Sequence, residues 1–226
     1  MESCEESRSD RKHKAILGAA TAVFLSKGYD GTTMDEIAAS AGVSKQTVYK
    51  HFADKEQLFG EIVRATTDQI DGLMRLVAET LAVAADLDKG LSQLARKFLT
   101  ALMEPRLLRL RRLVIANADR FPDVGRTWYE QGFGRVLATL ATCFRRLAEH
   151  QLLDLYDPLL AANHFVGMLL WIPVNQAMFT GSVRRRSKAE LEDYADAAVR
   201  AFLRAYSVKS EVAKSSVRSG RPSQLR

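Results

Sequence analysis

Three helix N-caps follow one another between Thr33 and Asp54, and they constrain the fold of this chain more than any other feature. Thr33 is followed three residues later by Glu36, which is the spacing of a capping box. Ser44 and Asp54 stand at the two later caps, each flanked by apolar residues spaced as a hydrophobic staple. Gly42 lies between the first two caps and accommodates a tight turn. The pattern predicts two short helices joined by a turn, with a longer helix after them.

The rest of the chain also has the apolar spacing of helices. A first helix is predicted over 11–27, where apolar residues recur on one face and Gly28 follows the last turn. The helix that starts after Asp54 is predicted to continue to Val77. Further helices are predicted near 87–103, 106–118, 123–149, 156–179 and 187–207. Since no segment alternates as a strand does, the sequence predicts an all-α fold.

The short helix after Ser44 has the side chains that a DNA-reading helix needs. In a helix-turn-helix, the second helix enters the major groove with its N-terminal residues against base edges. Lys45 and Gln46 are long donors at this end, and Thr47 offers a methyl and a hydroxyl group. No Asp or Glu occurs from Val43 to Phe52. Acids and bases balance over residues 1–52, so the prediction rests on this geometry and not on the net charge of +6.

The segment from Phe24 to Phe59 resembles the DNA-binding domain of the TetR/AcrR transcriptional regulators. It runs FLSKGYDGTTMDEIAASAGVSKQTVYKHFADKEQLF. The resemblance implies a homodimeric, all-helical repressor that binds a double-stranded DNA operator and is released by a small-molecule effector. It implies DNA contacts through Thr33, Ser44, Lys45, Gln46, Thr47, Tyr49, Lys50, His51 and Lys55. Many members have Gly at the position of Gln46, so this side chain leaves the base preference open.

The segment from Arg111 to Val136 resembles the AefR-like effector domain of some members of that family. Together the two resemblances predict an N-terminal three-helix helix-turn-helix domain and a C-terminal helical bundle for effector binding and dimerisation. The predicted segments are a disordered arm (1–10), the DNA-binding domain (11–55), the ligand-binding and dimerisation domain (56–208) and a disordered basic tail (209–226).

Aromatic residues, methionines and one amide of the C-terminal region are candidates for the lining of an effector pocket. They are Met103, Trp128, Phe133, Phe165, Met168, Trp171, Asn175 and Met178. The same residues fit a plain hydrophobic core or a dimer interface, and the sequence does not separate these readings. A mostly apolar effector is predicted, because such pockets have few polar groups. Four arginines are predicted on solvated helix faces, although one turned inward would bind a carboxylate: Arg111, Arg112, Arg145 and Arg146.

The last two predicted helices, 156–179 and 187–207, each carry an apolar row that predicts a two-fold dimer interface. The rows are Leu160, His164, Met168 and Trp171 on the first helix, and Leu191, Tyr194, Ala198, Phe202 and Leu203 on the second.

The sequence predicts no enzyme, cofactor or metal site. Its four histidines stand in no metal-binding pattern, and no phosphate-binding glycine loop occurs. The longest strictly apolar stretch, around 165–174, is too short for a membrane-spanning helix, and the polar N-terminus is unlike a signal peptide. A cytoplasmic DNA-binding regulator is therefore expected. The alternative is a ligand-binding helical protein without DNA binding.

Overall fold

The computed structural model describes residues 7–69, 72, 79, 86–180 and 186–208, and within these ranges the predicted all-α fold is confirmed. The only β contact there is an isolated antiparallel bridge between Leu153 and Ser207. The helices are α1 (Arg8–Lys27), α2 (Met34–Ala41), α3 (Lys45–His51), α4 (Lys55–Asp68), α5 (Leu87–Leu102), α6 (Pro105–Asn117), α7 (Pro122–Thr127), α8 (Arg135–Glu149), α9 (Pro158–Thr180) and α10 (Lys188–Tyr206). A π-helix, Trp128–Gly134, lies between α7 and α8.

Helix α1 begins earlier than the sequence pattern predicts. The side chain of Ser7 caps it by accepting a hydrogen bond from the amide of Asp10 at 3.1 Å. Residues 8–10, predicted as part of a disordered arm, are therefore helical. Residues 1–6, the predicted tail 209–226 and most of the predicted continuation of α4 to Val77 lie outside the described residues.

The predicted caps at the helix-turn-helix are confirmed. The Thr33 hydroxyl accepts from the Glu36 amide at 3.3 Å, and the Glu36 carboxylate accepts from the Thr33 amide at 3.2 Å. Gly42 ends α2 with φ +65° and ψ 32°, a left-handed conformation that suits glycine. Ser44 then caps α3 by accepting from the amide of Thr47. These local bonds fix the turn that sets α3 against α2.

The third cap is a variant of the capping box. Asp54 accepts from the Gln57 amide at 2.7 Å, as expected. The Gln57 side chain reaches back to the amide of Ala53 at 2.6 Å, and not to the amide of Asp54 itself. The reciprocal contact therefore holds the residue before the cap, which fixes the direction in which the chain enters α4.

The single helix predicted over 123–149 is divided by the π-helix. Its wider turn gives each residue a neighbour five positions along the chain. Trp128 and Phe133 are five residues apart, and both line the same cavity. A search for α-helical periodicity looks three and four residues along the chain, and therefore does not place Trp128 and Phe133 on one face.

Two hydrophobic cores organise the molecule, and α6, which packs in the N-terminal core and contacts α9, lies between them. The C-terminal core is built on the contacting rings of Phe144, Phe165 and Phe202, with Phe165 edge-to-face to the other two. The N-terminal core holds α1 to α4 together and also takes in Phe121 from the α6–α7 corner. The Phe121 ring lies 4.6 Å from that of Tyr29. Helices α1 to α4 are thus packed directly on the C-terminal region.

Helix α9 has the length and composition of a membrane-spanning helix, with a mean hydropathy of 1.2 over an 18-residue window. Of that window, 39% is buried inside the protein. Phe165, Leu169 and Leu170 face the C-terminal core. The core helices of soluble proteins can be as long and as apolar, so the hydropathy of α9 is weak evidence that it spans a membrane.

Candidate nucleic-acid interface

Helix α3 is anchored on one side and open on the other. Val48 is fully buried, and Phe52, which ends the helix, is buried as well. The outward side carries Lys45, Gln46, Tyr49 and Lys50, all exposed, and the half-buried Thr47 and His51. The helix therefore offers a polar, acid-free surface held in place by two apolar residues.

Lys45 meets an acid from the neighbouring helix. Its ammonium group lies 2.8 Å from the carboxylate of Asp35 on α2, and both side chains are exposed. The hydrogen bond and the negative charge of Asp35 raise the pKa of Lys45 above its ordinary value. Solvent and salt screen such surface pairs strongly. Lys45 can therefore exchange Asp35 for a phosphate or a base.

The hydroxyl groups at the start of α3 are linked to each other. Ser44 Oγ and Thr47 Oγ1 are 2.8 Å apart, and Ser44 also accepts from the Thr47 amide at 3.2 Å. On α2, the Thr33 side chain is exposed, and its oxygen accepts from the Glu36 amide. Each hydroxyl acts first as a helix cap, which holds it in a fixed position at a helix N-terminus, where anions are favoured.

Lys55 is more firmly held than a surface phosphate ligand. Its ammonium group donates to the carbonyls of Tyr29 at 2.8 Å and Thr32 at 3.0 Å, and lies 4.4 Å from the centre of the Tyr29 ring. Two of its three donors are thus used inside the protein. Lys55 positions the turn before Thr33, and one N–H remains for an external group.

We expect Lys55→Ala to lower the free energy of unfolding by about 1–3 kcal/mol, because two partly buried carbonyls lose a charged donor. Lys50→Ala is the matched control, since Lys50 is exposed on α3. Urea unfolding of both variants measures the difference. An equal effect of the two substitutions would contradict the positioning role.

His51 sits at the end of α3, next to His13 of α1. The two rings are 5.7 Å apart, and His13 also packs on Phe52 at 4.9 Å. Burial and the nearby positive groups His13, Lys50 and Lys12 lower the pKa of His51. The ring is therefore neutral at pH 7, and it offers hydrogen bonding rather than charge.

The eight residues proposed from the sequence for an effector pocket do not meet in one place. Trp128 and Phe133 line a narrow apolar cavity between α4, α5, α6 and the π-helix. Met103 lines a separate groove of about 570 Å³ between α5, α6 and α9.

The other five lie away from these two spaces. Phe165 is in the C-terminal core, while Met168 and Trp171 are exposed on α9. Asn175 donates to the carbonyl of Trp171 at 2.7 Å, and Met178 is half-buried on the same helix. Helix α9 is apolar on nearly all sides, so its sequence did not distinguish the core face from the outer face.

Sequence reasoning missed three polar residues of the narrow cavity, which are Thr66 and Thr67 of α4 and Arg111 of α6. Arg111 was predicted on a solvated face, yet only 9% of it is exposed. Arg111 follows Leu107 by four residues and precedes Val114 by three, so the three side chains share one face of the helix. This spacing could have identified Arg111 as buried. Among the described residues, no group of three His, Cys, Asp or Glu could hold a metal ion.

Two family models match the chain. The model for bacterial regulatory proteins of the tetR family covers residues 16–62. The model for the C-terminal domain of AefR-like transcriptional repressors covers residues 89–208. The two matches coincide with the helix-turn-helix and with the bundle that contains both the cavity and the groove.

Known proteins resemble the chain over different lengths. A transcriptional regulator of the TetR family from Mesorhizobium loti has a solved structure with 59% sequence identity and a TM-score of 0.85, covering 90% of this chain and 100% of that one. The flavonoid-responsive regulator FrrA is 27% identical with a TM-score of 0.67, covering 88% and 99% of the two chains. The transcriptional activator FasR of Mycolicibacterium smegmatis is 36% identical over 77 residues, which span about a third of either protein (34%).

Proposed function

Because the chain belongs to the TetR family of bacterial transcriptional regulators, we propose that it binds a palindromic DNA operator as a homodimer and that a small molecule releases it. Such a regulator acts in the cytoplasm, where its operator is. The single observation that carries the proposal is the exposed, acid-free face of α3, anchored by Val48 and Phe52. We propose that the protein represses transcription rather than activating it, since its C-terminal domain matches AefR-like repressors.

In this proposal, the residues in the first turn of α3 recognise the DNA bases. Lys45, Gln46 and Thr47 stand where a recognition helix meets base edges, and a Gln side chain pairs well with adenine. Thr33, Ser44, Tyr49 and Lys50 surround this turn and contact phosphates, while the neutral His51 adds a hydrogen bond. Lys55 supports the interface from within and offers its remaining N–H.

We expect Gln46→Ala to cost about 1–3 kcal/mol of binding to the preferred DNA site and to relax the preference at one base pair in each half-site. Gln93→Ala on α5 is the matched control, because Gln93 is exposed far from α3 along the chain. Fluorescence anisotropy with the preferred site and with scrambled DNA gives both affinities. Equal weakening on the two DNAs would show that Gln46 does not read a base.

Dimerisation uses the outer face of α9 in this proposal. Met168, Trp171, Ile172 and Phe179 are exposed on one side of that helix, and Leu160 is exposed about two turns before Met168. An apolar surface of this kind is typical of an interface. Two-fold pairing would cover it on both copies at once.

The apolar row predicted on the last helix has a different place. Leu191, Ala198 and Phe202 of α10 are buried in the C-terminal core of the same chain, because α10 packs against α5 and α9. The exposed side of α10 carries Ala197 and Ala201 instead. Small side chains allow another helix to approach closely, so α10 can still border the α9 interface.

Release by an effector follows from the position of α4 in this proposal. The N-terminal half of α4 belongs to the core that holds α3, and its last turn, with Thr66 and Thr67, forms a wall of the narrow cavity. A ligand that widens the cavity moves α4 and changes the separation of the two recognition helices. It shifts the protein away from DNA by its differential affinity for the two states.

A further inference from the structure

The narrow cavity contains a buried cation, Arg111, that has no anionic partner among the described residues. Arg111 is 9% exposed, and within the described part of the chain its contact is with the ring of Phe133, 4.7 Å from the guanidinium carbon. No hydrogen bond or ion pair joins it to any described residue. Burial lowers the pKa of Arg111 from its ordinary value, and no carboxylate in the described part of the chain offsets this. A buried guanidinium in this state has unused capacity to bind an anion.

The other polar groups in the cavity do not compete for this role. The Thr66 hydroxyl donates to the carbonyl of Ile62 at 2.8 Å, and the Thr67 hydroxyl donates to that of Arg64 at 2.9 Å. Both hydroxyl protons are therefore committed to the backbone of α4. The rest of the lining is predominantly apolar and includes Phe98, Leu102 and Val136. Arg111 is the charged residue among the described residues that line the cavity. Two N–H groups of its planar guanidinium match the two oxygens of a carboxylate.

The adjoining groove supplies room for the body of a ligand. The cavity itself is about 30 Å³, enough for a group of the size of a carboxylate. The groove of about 570 Å³ is within the range of small-molecule sites. Leu108 lines both spaces, so the cavity and the groove adjoin at this side chain.

The charges around the groove favour an anion at its mouth. Four basic residues line it against a single acid, Glu104: Arg109, Arg112, Arg186 and Lys188. Its apolar lining includes Met103, Pro105, Pro173 and Leu191. Such a basic rim attracts a negatively charged molecule, and the apolar floor holds its hydrocarbon part.

We propose that the effector is an apolar molecule with a carboxylate, whose carboxylate pairs with Arg111 in the narrow cavity and whose body lies in the groove past Leu108. The inference deepens the proposed function by naming the effector class of its C-terminal domain. It concerns binding to the free protein, so it is tested without DNA. A failure of operator binding would leave this test unaffected.

Trp128 provides a reporter at the site. The chain has two tryptophans, and Trp171→Phe leaves Trp128 in the cavity wall as the remaining one. The probes are octanoate, decanoate and 4-phenylbutanoate, each compared with the alcohol of the same carbon skeleton, below the concentrations at which they form micelles. We expect at least one acid to change Trp128 fluorescence with a saturable curve and to bind at least tenfold more tightly than its alcohol. At 100 times its Kd, that acid should raise Tm by about 5–10 °C.

Substitutions assign the preference to Arg111. Arg111→Met should weaken binding of the acid by roughly 10- to 100-fold and leave the alcohol unchanged. Arg145→Met, which removes a charge from the exposed side of α8 outside both the cavity and the groove, should retain the preference. Arg111→Lys keeps the charge without the planar fork and should give an intermediate affinity, which preserves the test if Arg111→Met does not fold.

Three results would overturn the inference: no probe saturates, the acids and alcohols bind equally, or Arg111→Met retains the preference of the wild type. Thermal unfolding without ligand gives an independent readout. Removing an unpaired buried charge should leave Tm unchanged or raise it by a few degrees. A fall of about 5 °C or more would show that Arg111 is satisfied in the free protein, and would contradict the proposal.

Discussion

Ile172→Glu is expected to convert the dimer into monomers and to weaken binding to a palindromic operator by roughly 100-fold or more. Ile172 is 52% exposed in the single chain and lies beside Trp171 on the outer face of α9. In a two-fold interface the substitution places a carboxylate on each copy, and burying an unpaired charge costs several kcal/mol. A monomer then holds one half-site and loses the added affinity of two linked contacts.

Ile115→Glu is the matched control for that substitution. Ile115 is 61% exposed on α6, so it introduces the same charge at a similarly exposed isoleucine outside α9. Sedimentation velocity at micromolar concentration gives the oligomeric state, and anisotropy gives the DNA affinity. The α9 interface would be wrong if Ile172→Glu remained dimeric, or if both variants became monomers.

Phe121→Ala is expected to lower the free energy of unfolding by about 3–5 kcal/mol. Phe121 is buried at the α6–α7 corner, and its ring contacts those of Tyr29 and Phe59 in the N-terminal core. The neighbouring Arg120 donates to Asp30 at 2.7 Å, but this exposed ion pair contributes little. The aromatic contact is therefore the main contribution of the α6–α7 corner to this attachment, beside the buried Leu110, Val114 and Val124 of α6 and α7.

The same loss should not occur at an exposed ring. Tyr156→Ala removes a fully exposed aromatic side chain from the segment before α9, and its expected effect is within about 0.5 kcal/mol. Urea unfolding of both variants, followed by circular dichroism, measures the difference. A small effect of Phe121→Ala would show that this ring does not stabilise the packing of α6 and α7 on the N-terminal core.

The helix-turn-helix could be predicted from the sequence because it depends on local chemistry. The caps at Thr33, Ser44 and Asp54 involve residues a few positions apart, and Gly42 marks the turn. These interactions form within one segment of chain, so spacing alone identifies them. The exposed face of α3 followed from the same spacing, once Val48 was assigned to the buried side.

The effector region could not be predicted to the same extent, because periodicity identifies a face but not the helix that covers it. Helix α9 has apolar residues on both sides, so Phe165 in the core and Trp171 on the surface look alike in the sequence. Arg111 shows the opposite error. It lies on an apolar helix face, but its charge led to the prediction that it is exposed to solvent. Its burial depends on α4 and the π-helix, which are distant in the chain.

Lys55 shows a third kind of limit. Its position next to a helix cap predicts an exposed cation, yet its partners are carbonyls of residues 29 and 32. A contact between segments more than twenty residues apart cannot be recognised from the spacing of neighbouring residues in the sequence. Such long-range bonds decide whether a basic residue holds the protein together or meets a phosphate.

Selection of DNA from a random pool by the wild-type protein tests the central claim most directly. Two copies of α3 read the same sequence in opposite directions, so the enriched DNA should be a palindrome. Its half-site centres should be separated by one helical turn, about 34–36 Å, or a whole multiple of it. Enrichment of a single half-site would contradict reading by a dimer. A pool that stays random after repeated rounds would contradict DNA reading by α3.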